Sequence, residues 1–326
     1  ISAGGYAKTQ PLDVYTPQRR GGMGKAAAAG KDEDFVEHLL IANTHDTLLC
    51  FSSVGKVYWL KVFHIPVASR TSRGKPIINI LPLEEGERIT SMLPVKEYDD
   101  EHFVFMATAN GTVKKTGLNK FARQRSVGLR AIELENDELV GTAITDGKRD
   151  VMLVSTSGKT IRFKESDGRP MGRTARGVRG IKMGDQFRMI SLIIPDDDKH
   201  VLTFSDNGYW NRTHICYYPV YGRGGQGVKG IQTSERNGAV VGAVQVSEND
   251  EIMLISDKGT LVRTRVEEVS IQGRNTQGVR LIKLKEGEKL VGLEQVDEPD
   301  DELINSESCL LYTSPSPRDA TLSRMT

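Results

Sequence analysis

The sequence predicts an all-β fold arranged as a propeller-like ring of six repeats. A pattern of an apolar strand, a tight turn ending in glycine and a second strand recurs about every fifty residues. A second, glycine-containing motif follows each of these hairpins. Helical spacing of apolar residues is weak throughout, and the 33 glycines among 326 residues suit a chain with many tight turns.

The first motif is the β-hairpin. Its opening strands are rich in β-forming residues and span residues 47–52, 103–108, 151–156, 201–206 and 252–257. Each runs into a turn that ends at Gly55, Gly111, Gly158, Gly208 or Gly259. The pairs Asn110-Gly111 and Asn207-Gly208 are the strongest hairpin signals, because type I′ turns need positive φ.

The second motif reads Gly, apolar, basic, small or apolar, Ile. Four copies are plain: Gly128-Leu129-Arg130-Ala131-Ile132, Gly177-Val178-Arg179-Gly180-Ile181, Gly227-Val228-Lys229-Gly230-Ile231 and Gly278-Val279-Arg280-Leu281-Ile282. Gly74-Lys75-Pro76-Ile77-Ile78 is a degraded copy, and Gly24-Lys25 stands at the matching place in the first unit. We therefore expect a domain over residues 1–296 with repeats at roughly 1–46, 47–102, 103–150, 151–200, 201–251 and 252–296, the first lacking its opening strand.

A four-stranded unit of this length cannot bury both faces of its sheet alone, so such units stack around an axis as propeller blades do. A WD40 or kelch propeller that binds other proteins is the alternative within this architecture. Against it, the chain has only two tryptophans and no Trp-Asp signature.

Basic side chains gather in the six loops that carry the second motif. The candidate DNA-binding residues, unit by unit, are Gln18, Arg19, Arg20, Gly21, Gly22, Gly24 and Lys25; Arg70, Arg73 and Lys75; Arg123, Arg125 and Arg130; Arg173, Arg176 and Arg179; Arg223 and Lys229; Arg274 and Arg280. The second hairpin strand adds a base to the series at Lys115, Arg162, Arg212 and Arg263. Acids such as Glu84, Glu133, Glu135 and Asp196 are expected to lie elsewhere in the unit.

Rotation about a ring axis places equivalent loops on one rim, so these bases predict a continuous basic belt. Duplex DNA is the expected partner, because Lys and Arg attract phosphates with release of counterions. Glycines beside the arginines let backbone amides approach phosphates as well. A single exposed base is more often a solvated charge than a contact, but six equivalent basic loops favour nucleic-acid binding. No recognition helix is apparent, so sequence-specific readout is not expected.

The first basic loop contains a recognisable box. Gln18-Arg19-Arg20-Gly21-Gly22-Met23-Gly24 resembles the Gln-Arg-Arg-Gly-Gly-Lys/Arg-Gly box of DNA gyrase A C-terminal domains, with Met23 in place of a base. The resemblance extends from Ile1 to about residue 296 and includes Lys56-Val57-Tyr58-Trp59-Leu60. Topoisomerase IV, the related alternative, has a similar wheel without an intact box.

The resemblance implies a six-bladed β-pinwheel, a hairpin-invaded relative of the propeller in which adjacent blades exchange a strand. It further implies that the domain wraps duplex DNA, so that the gyrase holoenzyme introduces negative supercoils by ATP-dependent strand passage. The fragment itself would be non-catalytic, with the tyrosine nucleophile and the ATPase in the rest of an A2B2 assembly of gyrase A and gyrase B. ATP and Mg would serve that holoenzyme, in the cytoplasm at the nucleoid.

The remaining features suggest no chemistry of their own. Neither the six histidines nor the three cysteines have metal-ligand spacing, and no stretch is apolar enough to span a membrane, so no cofactor, metal or membrane contact is expected for this fragment. We expect a fragment of a longer protein. Residues 297–304 resemble the start of an acidic tail, and residues 305–326 are expected to be a disordered or artefactual tail.

Overall fold

A computed structural model describes residues 1–2, 4–10, 40, 42–69, 72–257, 261–282, 284 and 287–296. These residues form twenty-two strands and six short 3-10 turns, and none of them lies in an α-helix. The all-β prediction is therefore confirmed for the described residues. The 3-10 turns are Val62–His64, Ile77–Asn79, Leu118–Phe121, Glu165–Asp167, Ile215–Tyr217 and Val266–Glu268.

Five sheets, here called blades, share one plan: an antiparallel hairpin flanked on one side by a third strand of the same unit. In chain order the three strands are β2 (Thr47–Ser52), β3 (Lys56–Lys61) and β5 (Ile89–Val95); β6 (Phe103–Thr108), β7 (Thr112–Gly117) and β9 (Leu139–Thr145); β10 (Asp150–Ser155), β11 (Lys159–Lys164) and β13 (Met189–Ile193); β14 (His200–Ser205), β15 (Tyr209–His214) and β18 (Val240–Val246); and β19 (Glu251–Ser256), β20 (Leu261–Arg265) and β22 (Leu290–Val296). Two of the five predicted opening strands match in full, and the other three begin and end one residue earlier.

Short strands from the following unit extend the first unit and four of the five blades, whereas the last blade has only its own three strands among the described residues. The short strands are β4 (Lys75–Pro76), β8 (Leu129–Arg130), β12 (Val178–Arg179), β17 (Val228–Lys229) and β21 (Val279–Arg280), here called donated strands. They pair antiparallel with β1 (Tyr6–Ala7), β3, β7, β11 and β15 of the preceding unit. A further strand, β16 (Val220–Tyr221), pairs parallel with β11. Neighbouring units thus exchange a strand, as the resemblance implied.

The donated strands lie on the outside of the ring. The third strands of successive blades, β5, β9, β13, β18 and β22, pack against one another in series. Strands that meet their counterparts in this way line the axis of a propeller. The donated strands occupy the opposite edge of each sheet, and the second motif therefore lies on the perimeter.

The hydrophobic core is divided among the junctions between units. One buried cluster joins Phe51 and Val57 of the second unit to Phe121 and Ile132 of the third. Four similar clusters lie between the other consecutive pairs of units. Because each cluster is shared, a unit buries its sheet faces only together with its neighbours.

Candidate nucleic-acid interface

Each donated strand presents a base at the outer edge of the preceding blade. The side chain of this base is exposed in every case, at Lys75, Arg130, Arg179, Lys229 and Arg280. Arg130 lies opposite Lys56 at the start of the second hairpin strand, and the later bases occupy the same register. The structure therefore brings four predicted site residues to equivalent places on the perimeter, whereas Lys75 lies one residue earlier in its strand, opposite Ala7.

A glycine precedes each donated strand, where the chain crosses to the neighbouring blade. These crossing glycines, with φ of 83, 75, 97, 67 and 75°, are Gly74, Gly128, Gly177, Gly227 and Gly278. A Cβ atom at Gly227 would lie 2.3 Å from the carbonyl oxygen of Thr160, and one at Gly177 would lie 2.6 Å from that of Val113. The left-handed backbone and the close approach both exclude a side chain. The backbone geometry of strand exchange is therefore sufficient to require glycine at these crossing positions.

The chain after each donated strand docks on the preceding hairpin turn. The amide of Ile132 donates to the carbonyl oxygen of Gly55 at 3.1 Å, and the same contact recurs at the next two hairpins. In the first unit the amide of Ile77 donates to the carbonyl oxygen of Gly5 at 2.7 Å, and Gly5 has φ 75°. Gly5 is thus the hairpin glycine of the first unit, which sequence reasoning missed. The two repeated motifs therefore contact each other: the hairpin turn of one unit accepts hydrogen bonds from the second motif of the next unit.

The segments 72–79, 123–133, 169–182, 219–232 and 270–282 are here called rim loops, because they lead into and out of the donated strands. Their predicted DNA-binding residues differ in exposure. The side chains of Arg73, Arg123, Arg125 and Arg176 are exposed, whereas those of Arg173, Arg223 and Arg274 are half-buried. A half-buried base has less of its charge available to a ligand, so the belt is uneven.

Consecutive rim loops are joined by backbone hydrogen bonds. In each case the donor is the amide five residues after one crossing glycine, and the acceptor is the carbonyl two residues before the next crossing glycine. The bonds are Glu133 to Ala175 at 3.3 Å, Lys182 to Gly225 at 2.8 Å and Gln232 to Thr276 at 2.8 Å. The rim loops of the third to sixth units therefore form a connected series.

Two half-buried arginines add side-chain bonds to this series. Arg223 Nη1 donates to the carbonyl oxygen of Arg179 at 2.6 Å, and Arg274 Nη1 donates to that of Lys229 at 3.2 Å. The guanidinium carbon of Arg274 also lies 5.9 Å from the centre of the Tyr218 ring. Burial raises the pKa of Tyr218 to about 12, although the charge of Arg274 opposes that shift. Each arginine thus contacts the unit before its own.

Buried donors hold the rim loops from beneath. Lys114 is 1% exposed, and its ammonium donates to the carbonyl oxygens of Ala131 and Arg173, both at 2.6 Å. Burial, with the nearby charge of Arg173, lowers the pKa of Lys114 to about 8. Asn211 occupies the same strand position two units later, and its amide donates to the carbonyl oxygens of Gly230 and Gly273 at 2.9 and 3.3 Å.

Acids lie closer to the rim than the sequence suggested. Glu135 forms an ion pair with Arg176 at 2.7 Å, and Glu133 lies 3.9 Å from the guanidinium of Arg130. The expectation that the acids lie elsewhere in the unit is therefore wrong for the third unit. These glutamates follow the donated strand, and the chain there returns past the next rim loop.

The bases on the second hairpin strands do not belong to the belt. Lys115, Arg162 and Arg212 are buried, at 6, 8 and 2% exposure. Arg162 contacts Asp150 and Asp197 at 2.7 and 2.8 Å. The prediction that these bases add to the series is wrong, because the strand position points their side chains into the interior of the protein. The side chain of Arg263 lies outside the described residues.

Eight candidate site residues lie outside the described residues: Gln18, Arg19, Arg20, Gly21, Gly22, Gly24, Lys25 and Arg70. Their roles stay predictions. The rim loop of the fifth unit, however, repeats part of the box in sequence, because Arg223-Gly224-Gly225-Gln226-Gly227 matches Arg20 to Gly24 in four of five residues. In this loop Gly224 has φ 83°, and its amide donates to the carbonyl oxygen of Gly180 at 2.8 Å. A comparison of the repeats at the box itself would have found this signal.

In the described part of the chain, no group of three or more His, Cys, Asp or Glu residues is placed to hold a metal ion. Nor does any helix in those residues have the length and apolarity needed to cross a membrane.

The strand exchange, the axial packing and the basic perimeter define a class of protein: propeller-like repeat modules whose blades are completed by their successors. A family model described as the DNA gyrase C-terminal domain, a β-propeller, matches residues 1–43, 46–96, 102–146, 149–186, 199–247 and 250–297. The chain belongs to this DNA gyrase C-terminal domain family. Six matched segments agree with the prediction of a six-unit propeller-like fold, which is confirmed.

Curated relatives agree with this assignment. The chain is 56% identical over 308 residues to the DNA gyrase A protein of Salmonella typhimurium, covering 94% of this chain and 35% of that protein. It is 54% identical over 343 residues to the DNA gyrase A protein of Pseudomonas aeruginosa, covering 92% of this chain and 37% of that protein. The chain thus spans about a third of the length of these relatives.

Solved structures share the fold. A DNA gyrase A C-terminal domain has a TM-score of 0.75 at 26% identity, covering 90% of this chain and 97% of that one. A DNA topoisomerase IV C-terminal domain has a TM-score of 0.76 at 25% identity, covering 91 and 92%. Fold similarity does not separate the two kinds of wheel, whereas the identities above favour gyrase.

Proposed function

We propose that the outer rim of this domain binds the phosphate backbone of duplex DNA and wraps the duplex around the ring. One observation supports this most: four exposed bases, Arg130, Arg179, Lys229 and Arg280, lie at equivalent places on consecutive donated strands. Phosphate contacts of this kind give affinity without sequence readout. A curved series of such contacts offsets the free energy needed to bend DNA.

The binding is expected to be strongly salt-dependent. Each phosphate that is neutralised contributes about 0.9 to the slope of log affinity against log salt concentration. Four motif bases, Arg130, Arg179, Lys229 and Arg280, are exposed on consecutive blades. Replacing all four with Gln should therefore reduce the slope by roughly 3 to 4.

A matched control separates rim contacts from net charge. Lys96, Lys148, Arg149 and Lys199 lie in the loops that join one unit to the next, away from the donated strands. Changing these four to Gln removes the same charge and should alter the slope by much less. Equal losses in the two quadruple variants would contradict a binding rim.

Wrapping is tested by topology. A nicked circle ligated in the presence of the chain should change its linking number, and the quadruple rim variant should lose this change. Binding without a topological change would favour the activity expected of a topoisomerase IV-type wheel. No binding to linear duplex at low salt would exclude both and leave the protein-interaction propeller.

We propose that the whole protein is the gyrase A component of an ATP- and Mg-dependent type II topoisomerase, working with gyrase B in an A2B2 assembly at the cytoplasmic nucleoid. Support comes from the DNA gyrase A relatives, of which this chain matches about a third. In that assembly the wrapped segment would be presented for strand passage, so losing the rim should convert supercoiling into relaxation.

A further inference from the structure

Arg223 and Arg274 occupy the same place in their repeats, four residues before the crossing glycines Gly227 and Gly278. Each donates one guanidinium N–H to the backbone carbonyl oxygen of the exposed motif base of the preceding unit. The distance is 2.6 Å from Arg223 to Arg179 and 3.2 Å from Arg274 to Lys229. A guanidinium donor gives a stronger bond than a neutral one. The two arginines therefore act on the backbone of residues that the proposed function assigns to phosphate.

Neither guanidinium is placed as a free surface charge. Both side chains are half-buried, whereas Arg179 and Lys229 are exposed. Arg274 lies over the Tyr218 ring of the unit before it. Arg223 has its Nε atom buried without a partner among the described residues, so that nitrogen faces protein. Arg125, in contrast, is exposed and makes no side-chain hydrogen bond or ion pair with the described residues.

The bonds around Arg223 form a compact connection. Within three residues the rim loop of the fifth unit makes three contacts to the rim loop of the fourth unit. The Arg223 side chain donates to the Arg179 carbonyl, the Gly224 amide donates to the Gly180 carbonyl, and the Gly225 carbonyl accepts from the Lys182 amide. The two amide contacts follow the side-chain contact along both loops. Removing the guanidinium thus takes away the bond that fixes the base-bearing residue itself.

We propose that Arg223 and Arg274 are positioning residues that link adjacent rim loops and hold Arg179 and Lys229 in place for DNA. This inference rests on the proposed function for its consequence, although the link exists without DNA. The rim then behaves as a chain of coupled contacts, in which each unit orients the base of the unit before it.

The link is tested first without DNA, by hydrogen exchange measured on peptides. Arg223→Met keeps the length of the side chain and removes its donors and charge. Exchange should become about fivefold faster in residues 177–182, as expected for the loss of about one hydrogen bond. Arg274→Met should do the same in residues 227–232. Arg125→Met is the control and should leave both segments unchanged. Unchanged exchange in the linked segments would overturn the proposal, as would an equal increase in every rim loop.

The consequence is tested with a double-mutant cycle on DNA affinity. If Arg223 acts through Arg179, then Arg179→Gln should weaken binding at least threefold less in the Arg223→Met background than in the parent chain. The control cycle pairs Arg125→Met with Arg179→Gln, and its effects should multiply. Multiplying effects for Arg223, with a salt slope reduced by about 0.9 for each variant, would make Arg223 a direct phosphate contact and overturn the proposal. If the parent chain fails to bind DNA, the proposed function is lost, while hydrogen exchange still decides the link.

Discussion

The junction between the third and fourth units and the two junctions that follow it share one backbone arrangement but hold their bases differently. At the earlier junction Arg176 is paired with Glu135, and the buried ammonium of Lys114 supports the rim loop. At the later junctions Arg223 and Arg274 bind backbone carbonyls. Equivalent loops on a repeat ring therefore need not be electrostatically equivalent. The backbone sets where a base lies, and its side-chain partners set how much charge it presents.

The crossing glycines should give the largest effect and the same one at both kinds of junction. Gly177→Ala and Gly227→Ala each combine a positive φ with a Cβ atom 2.6 or 2.3 Å from a carbonyl oxygen. We expect each to lower the free energy of unfolding by roughly 4 kcal/mol, measured by urea denaturation.

Gly222 offers a control in the rim loop of the fifth unit, because a Cβ atom there would meet nothing within 4 Å. Gly222→Ala should leave stability nearly unchanged. A large cost at only one of the two crossing glycines would mean that the backbone arrangement is not shared.

Substitutions of the buried bases on the second hairpin strands should affect the earlier and later junctions differently. Lys115 lies 3.8 Å from the buried carboxylate of Glu165, whereas Arg212 donates to the carbonyl oxygens of Val266 and Val269 at 3.1 and 3.3 Å. Lys115→Met leaves a buried charge unpaired and should cost about 3 kcal/mol of stability.

The double variant Lys115→Met, Glu165→Gln should recover part of that loss, because no charge is then stranded. Thermal denaturation of the parent chain, the Lys115→Met variant and the double variant checks this. Arg212 pairs with the exposed Glu248 at 3.7 Å and with no buried acid among the described residues, so a rescue by substitution is expected at the earlier junction alone. Failure of Glu165→Gln to help would show that Lys115 acts through packing.

The pH dependence of stability should also differ between the junctions. The folded-state pKa of Lys114 is about 8, below its ordinary value of 10.5, so the charged form is disfavoured in the folded chain. That cost is present in full below pH 8. The unfolded chain holds more protons between pH 8 and 10.5, and the free energy of unfolding therefore rises there, by about 1.5 kcal/mol from pH 8 to 9.5.

The measurement compares the parent chain with Lys114→Met across this pH range, which cancels groups common to both. The difference in stability should grow with pH. For Asn211→Ala, at the equivalent place in the fifth unit, the difference should stay constant. A constant difference for Lys114→Met would mean that its ammonium titrates near the ordinary value.

The smallest effect concerns the acid at the rim. Glu135→Gln releases Arg176 from an exposed ion pair and should tighten DNA binding about two- to threefold at low salt, with the gain vanishing at high salt. Glu235→Gln makes the same charge change at an exposed acid of the fifth unit that has no basic partner among the described residues. Equal gains in the two variants would show that net charge alone matters.

Much of this arrangement was predictable from the sequence, because hairpin turns and crossing glycines depend on local backbone conformation. The motif bases Arg130 and Lys229 were correctly expected to share one rim. The buried bases were misassigned, since the spacing that marks Arg162 says nothing of which face of its strand is covered. The approach of Glu135 to Arg176 was missed for a related reason. It depends on contacts between units, which a single repeat does not encode.

Strand donation also constrains how such a ring can change over generations. The repeat read from the gene and the folded sheet are out of phase, since four of the five blades are extended by residues encoded in the next repeat. A duplicated or deleted repeat must therefore match two neighbours at once, one that it completes and one that completes it. Recombination that exchanges whole repeats must preserve the contacts with the unit before and with the unit after. This requirement favours rings that evolve by point substitution on a fixed number of units.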